Sequence, residues 1–414
     1  MNFEFFIAKR LITTKSYKSS VSAPIIKIGI IAVAISVIVM LFSISFSKGL
    51  ENKIKSKVTS FNGEIIISNF DSNLSEGDQV PIKKNQVIVS DIKKIDGISH
   101  IQSTVQKFGV IRTKTNYEGL FVKGVGSDYN WKYFKQYLIE GKLPKYSQDY
   151  YNSDVLISEY LAKRLNLNVD DSFVMYFLKN SSKLQIPSKK FIVSGIFSSG
   201  FIDLDQTFIL GDIKEIQRLN RWEKDDLVGQ FEIYLENFKL KSSIAKQINS
   251  LTPPSLRVET IDQKYPIIFD WIDIFDKNTI VIISMMIMVG AINIITALLV
   301  LILERTQMIG ILKSLGSTNF SIQKIFIFTA TYLTFLGLFF GNIIGLGLLL
   351  IQKYFDLIKL DSSIYYVNVA PVHFSLHDIF ILNIVTFALS ILVLIIPSYL
   401  ISKIDPIKSL KFDS

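Results

Sequence analysis

Four stretches carry no charged residue over roughly the twenty positions a bilayer core requires: Ile28–Phe46, Ile280–Leu303, Ile325–Ile351 and Ile379–Ile401. A hydrocarbon layer about 30 Å thick is crossed by about 20 helical residues, and each central charge would cost about 2.5–3.5 kcal/mol. The pattern therefore predicts four transmembrane helices, spanning 25–47, 280–303, 325–351 and 379–401. The first apolar run is too long, and its charged leader too extended, for a cleaved signal peptide, so it is read as an anchor. Helical periodicity continues beyond it through Leu50, Ile54, Val58 and Phe61. It returns before the second span in Ile268, Trp271, Ile272 and Phe275. Both stripes predict amphipathic stalk helices. Between the stalks, short alternating runs predict strands at Glu64–Ser68, Gln86–Ser90, Gly119–Gly124, Asp154–Ser158, Ser172–Leu178, Phe191–Ile196, Thr207–Leu210, Gly229–Leu235 and Leu256–Thr260. Helices are expected at Glu159–Leu165, near Asp212–Leu219 and at Ser242–Ile248. The fold class is a four-helix membrane protein with a large α+β domain of one or two subdomains, residues 48–276, inserted between helices 1 and 2.

Composition supports this mixture. The 414 residues are 49% hydrophobic yet 20% charged. The formal charge is +9, but Lys48–Asp276 holds about 31 basic against about 29 acidic residues, so the short flanks carry most of the excess. A flank-weighted charge is a topology signal and differs from the clustered basic face of a nucleic-acid binder. Lys9, Arg10, Lys15, Lys18 and Lys27 precede span one; Arg305, Lys313 and Lys324 lie between spans two and three; Lys403, Lys408 and Lys411 follow span four. The positive-inside rule then puts both termini, including the 408–414 tail, and the 304–324 loop in the cytoplasm, and 48–276 outside. The leader, 1–24, sets Phe3, Phe5, Phe6, Ile7, Leu11 and Ile12 beside Lys9 and Arg10, a pattern suited to a helix lying in the membrane interface.

Catalytic chemistry is hard to assemble from this sequence. There is no Cys, hence no disulfide, thiolate metal site or cysteine nucleophile. The three His are His100, His373 and His377. The last two sit at i, i+4 without the Glu of a zinc-peptidase helix, and are read as a capping or interfacial pair. Gly124-Val-Gly126 lacks a third glycine, and no glycine-rich loop ends in Lys-Ser/Thr. No cofactor is expected on this chain; ATP and magnesium chemistry would belong to another subunit. A membrane-anchored enzyme or receptor is the competing class, disfavoured for want of a catalytic constellation.

The loop after span two reads Glu304-Arg305-Thr306-Gln307-Met308-Ile309-Gly310-Ile311-Leu312-Lys313-Ser314-Leu315-Gly316-Ser317. Met308, Ile311, Leu312 and Leu315 form one stripe, and Gly316 is a helix-ending glycine. This stretch resembles the coupling helix, 304–317, of the MacB/FtsX/LolC/LolE permease superfamily, close to E-R-T-x-x-I-G-I-L-K-x-L-G; Met308 stands where the family usually has an acidic residue. The resemblance extends to "FFIAKRLI", similar to the elbow helix, to Gly141-Lys142-Leu143-Pro144, to "DVLISEYLAKRLNLNVDDSFVMYF" and "FIVSGIFSSGFIDLDQTFI", and to Asp405-Pro406 with Ser409-Leu410. LolC/LolE proteins are the best fit, because MacB carries a fused ATPase and FtsX a smaller outer domain.

The resemblance implies a type VII ABC transporter of the bacterial inner membrane: a MacB-like periplasmic core domain, an FtsX-like permease domain at 279–407, and a non-enzymatic permease subunit that lacks its own ATP-binding motif. It implies a LolD-like ATPase, a second permease (the same chain or a paralogue), lipoprotein cargo and a periplasmic lipoprotein carrier. Glu304, Arg305, Met308, Ile309, Ile311, Leu312, Leu315 and Gly316 would face the ATPase. Ile186 and Pro187, within Lys179–Lys190, correspond to the hairpin that catches the carrier. Efflux of the MacB type and mechanical signalling of the FtsX type are the alternatives within the superfamily. From spacing alone, Gly337, Gly341 and Gly345 form a small-residue face, suited either to a permease dimer or to packing within one subunit. Asn293 and Asn342 are read as polar links between helices.

Overall fold

The computed structural model describes residues 3–13, 22–73, 79–84, 87–113, 116–177 and 187–398. The chain divides into two compact units: Met1–Glu51 with Trp271–Lys359 and Val369–Ser414, and Asn52–Asp270 with Leu360–Asn368.

The first unit is helical. Its elements are α1 (Phe3–Thr13), α2 (Ser22–Asn62, which continues into the second unit), α3 (Pro266–Glu304, which begins there), α4 (Thr306–Ser314), α5 (Asn319–Phe355) and α6 (Leu376–Ser398). Four of these, α2, α3, α5 and α6, are long and apolar enough to cross a membrane. Their shared core includes Val37, Met40 and Leu41 of α2, Leu298 and Leu301 of α3, Phe326 and Leu338 of α5, and Leu394 of α6. Large apolar side chains also point outward, such as Met288, Phe335 and Ile384, as expected where lipid replaces water. The two asparagines Asn342 and Asn383 exchange amide hydrogen bonds of 2.6 and 3.0 Å between α5 and α6, so each polar side chain is satisfied inside an apolar layer. Before α6, the chain lies along α2. His373 N donates to the Ser45 carbonyl, and a Cβ at Gly49 would sit 2.3 Å from the Pro371 carbonyl oxygen.

The second unit is built on β1 (Ile65–Asn69), β2 (Ile82–Lys83), β3 (Ile98–Arg112), β4 (Tyr117–Val125), β5 (Leu138–Gly141), β6 (Asp154–Ser158), β7 (Ser172–Phe177), β8 (Ser188–Phe197), β9 (Phe208–Asp212), β10 (Leu227–Val228), β11 (Gln230–Leu235) and β12 (Leu256–Thr260). Ten strands make one mixed sheet in the order β12-β1-β11-β3-β4-β9-β6-β8-β5, with β7 pairing both β3 and β8. The 15-residue β3 joins the two halves. Its first part pairs with β11, and Gly109–Arg112 pair with β7. Because β7 also pairs with β8, the strands β3, β4, β9, β6, β8 and β7 close into a ring. Val105, Val122, Val155, Phe173, Phe191 and Ile209 belong to its core.

Two differences from the sequence reading have physical causes. Gln86–Ser90, expected as a strand, is helical over its described part, within Val87–Ile92. Its β-branched residues favour strands, but Ile88, Val89 and Ile92 join the core on one helical face, so packing overrides propensity. The strand β3 escaped notice because Gln102, Ser103 and Thr104 are polar yet 1%, 1% and 0% exposed, which erases the expected alternation. His373 precedes α6 and His377 lies in its first turn, so the two do not share a helix; among the described residues no cluster suits a metal.

At the start of β1, Glu64 accepts a hydrogen bond from Leu235 N at 3.0 Å. Burial pushes its carboxyl up from 4.5 to about 7. The folded state therefore holds this proton more tightly than the unfolded chain, and its stability contribution is lost as pH rises from 4.5 through 7. The thermal midpoint should fall between pH 5 and pH 8, and Glu64→Gln should flatten that fall. An unchanged slope in the variant would assign the pH dependence to other groups.

Candidate functional site

The segment joining α3 to α5 is built as a short helix held at both ends. At Arg305 the backbone leaves helical geometry (φ −101°, ψ 18°), which separates α3 from α4. The helix is thus narrower than 304–317: Glu304 ends α3, and Leu315–Ser317 form the exit turn. That turn is a Schellman motif. Ser317 N donates to the Leu312 carbonyl and Gly316 N to the Lys313 carbonyl, with Gly316 at φ +89°. Thr318 then caps α5, its side chain accepting from Ser321 N.

The expected apolar stripe divides between two sides. Ile309 is fully buried, and Met308 and Leu312 pack against the helical core. Ile311 and Leu315, one turn apart, are 47% and 78% exposed, and Phe320 beyond the turn is 65% exposed. Glu304 is exposed and Arg305 half-buried. The chain's own fold thus anchors one side of α4 and leaves an apolar pair facing outward.

Gly337, Gly341 and Gly345 lie against α2 of the same chain. A Cβ at Gly337 would meet Val33 at 2.6 Å, one at Gly341 the Ala34 carbonyl oxygen at 2.9 Å, and one at Gly345 Leu41 at 2.9 Å. This face is occupied within the subunit. Asn293, by contrast, donates to the Val289 carbonyl of its own helix.

Of the hairpin residues, Ile186 lies outside the described residues. Pro187 is at the base, its carbonyl accepting from Phe177 N at 2.8 Å. Nearby opens a groove of about 640 Å³ lined by Arg112, Leu167, Phe173, Val174, Tyr176 and Lys190.

Sequence reading missed the way the end of α2 is held. Lys123 of β4 and Glu232 of β11 form an ion pair at 2.7 Å, with side chains 1% and 0% exposed. Burial lowers the pKa of the Lys123 ammonium while Glu232 opposes that shift. Glu232 also accepts from Thr104, Gln102 and Gln230. Lys123 in turn donates to the Phe61 carbonyl, and Tyr234 Oη donates to that of Ser60, so a cation and a phenol satisfy the last turn of α2. A second missed feature is the Leu360–Asn368 segment. Lys57 Nζ donates to its Tyr366 carbonyl at 2.9 Å, and Phe201 stacks on Tyr366 at 4.8 Å.

Comparison with known proteins agrees with this architecture. The MacB-like periplasmic core domain matches residues 28–251, more than half of the chain, and the FtsX-like permease C-terminal domain matches 280–406. The lipoprotein-releasing system transmembrane protein LolC of Buchnera aphidicola subsp. Schizaphis graminum is 25% identical over 389 residues, covering 92% of each chain. The corresponding LolE of Haemophilus influenzae is 22% identical over 436 residues, covering 98% of each. Among solved structures, the periplasmic region of MacB from Actinobacillus actinomycetemcomitans aligns with a TM-score of 0.34 at 16% identity, over 50% of this chain and 92% of that one. The chain belongs to the LolC/LolE-type permeases of the MacB/FtsX superfamily.

Proposed function

We propose that this chain is the permease subunit of a type VII ABC transporter that extracts lipoproteins from the bacterial inner membrane, powered by a separate ATPase. Both termini and α4 face the cytoplasm, and the 48–276 domain, inserted between helices 1 and 2, lies in the periplasm. The ATPase, carrying the ATP and magnesium, docks on α4. A second permease, a further copy or a paralogue, completes the membrane part, and the Lys179–Lys190 segment meets a lipoprotein carrier.

The observation that carries this reading is the exposed pair Ile311 and Leu315. Two large apolar side chains, one on a short helix and one in its exit turn within a basic loop, suit a protein groove, and the buried Ile309 with the Gly316 turn gives them a rigid base. Closure of the ATPase dimer would push on this helix and hence on α3 and α5, which flank it in sequence.

Leu315→Asp combined with Ile311→Asp should leave the fold intact, since both side chains point away from the core. The variant should insert normally but lose a contact worth roughly 2–4 kcal/mol, weakening ATPase binding by about 30- to 1000-fold. Co-purification and lipoprotein release from proteoliposomes are the measurements, with Lys313→Ala as the milder control. Wild-type ATPase retention and release by the double variant would remove the support for this reading.

A further inference from the structure

The N-terminal helix α1 lies on α5. Phe5 meets Phe328 edge-on at 6.3 Å, and Ser321 Oγ donates to Glu4 at 3.1 Å. Between α1, α5 and α6 opens an apolar pocket of about 410 Å³, whose walls include Phe5, Phe328, Tyr332, Phe335 and Phe387. The charged residue on its wall is Lys9. Two more cations are close by along the chain: Arg10, the exposed neighbour of Lys9, and Lys324, exposed one turn before Phe328 on α5, its ammonium over the Phe320 ring at 4.5 Å. Glu4 is the carboxylate close by.

An aromatic chamber with a cation on its wall has the chemistry of an amphiphile site. Its volume is at the lower end of the roughly 300–1,000 Å³ usual for ligand pockets, room for an acyl chain and not for a whole lipid. Basic pockets between transmembrane helices on the cytoplasmic side suit anionic lipid headgroups. We infer that the pocket binds one anionic phospholipid of the cytoplasmic leaflet, an acyl chain among Phe5, Phe328 and Phe335 and the phosphate beside Lys9 and Lys324. A second copy of this chain is a poor occupant, because a two-fold contact would set the same cations against each other. Lipoprotein cargo is also a poor occupant, since its acyl chains would enter from the opposite leaflet. The leaflet assignment rests on the orientation proposed above.

The test uses the full chain, without ATPase or cargo, in phosphatidylcholine vesicles containing either phosphatidylglycerol or phosphatidylcholine with brominated acyl chains. Phe335→Trp places a reporter in the pocket, and the parent, with its three tryptophans, supplies the background to subtract. Reporter quenching should need about fivefold or more less brominated phosphatidylglycerol than brominated phosphatidylcholine, the preference expected from about one effective surface cation. Adding Lys9→Gln and Lys324→Gln should bring the two lipids level. Equal quenching before those changes would reduce the pocket to ordinary lipid contact and overturn the inference. So would no quenching by either lipid, which would mean that protein covers the pocket, or a preference that survives the double change. Both leaflets hold the same lipid and no ATPase is present, so this result can fail while ATPase docking on α4 holds, and the reverse.

Discussion

Lys123→Met should destabilise the strand domain by about 3–5 kcal/mol, because it leaves Glu232 charged, buried and without its cation. The same change frees the Phe61 carbonyl at the end of α2. The loss should appear as a lowered thermal midpoint and as faster amide exchange in β3, β4 and β11, while the membrane helices keep their protection. Lys123→Met with Glu232→Gln should recover much of the loss, since Gln keeps an acceptor for Thr104 and removes the stranded charge. If the single variant unfolds like the parent, the ion pair does not hold the helix end to the sheet.

Gly341→Leu should prevent α2 and α5 from packing. A Cβ there would already lie 2.8 Å from the Val37 Cβ and 2.9 Å from the Ala34 carbonyl oxygen, and a backbone atom cannot rotate aside. Overpacking a tight core commonly costs about 1–3 kcal/mol, and two helices forced apart stand at the top of that range or beyond it. The expected result is little monodisperse protein after detergent extraction. Gly347→Leu is the control, because nothing lies within 4 Å of a Cβ at that position. Equal yields from the two variants would mean that the glycine face does not set the spacing of these helices.

The parts of the fold legible in the sequence were those with a clean local signal. Asp154–Ser158 is a short apolar run, Val155-Leu156-Ile157, between polar ends, Ser158 caps the following helix by accepting from Leu161 N, and both elements fall where expected. The four apolar helices were legible because a charge-free run of that length has few other uses. What stayed hidden depended on partners far along the chain. Gln102 and Thr104 look like loop residues until Glu232, more than a hundred positions away, supplies their hydrogen bonds. Leu360–Asn368 carries no periodic signal, and its place beside Lys57 and Phe201 follows from tertiary contact alone. At α4 the spacing of Met308, Ile311, Leu312 and Leu315 gave a stripe but not its orientation. The core reaches Met308, Ile309 and Leu312 from one side, so Ile311 and Leu315 remain outside.

The position of β1 dictates the order in which the strand domain can mature. This first strand lies between β11 and β12, with Ile65 opposite both Ile233 and Thr260. Its two neighbours are the last strands synthesised, and β12 ends six residues before α3 begins. Closing such distant pairs is slow, because the loop entropy must be met before any contact offsets it. The ring around β7 and β8 can assemble earlier from residues 98–212, whereas the clamp on α2 must wait for Glu232 and Tyr234 of β11. During synthesis β1 therefore waits unpaired for about 160 residues, until β11 follows it, so the nascent chain is most exposed to misfolding and proteolysis just before residues 230–235 emerge.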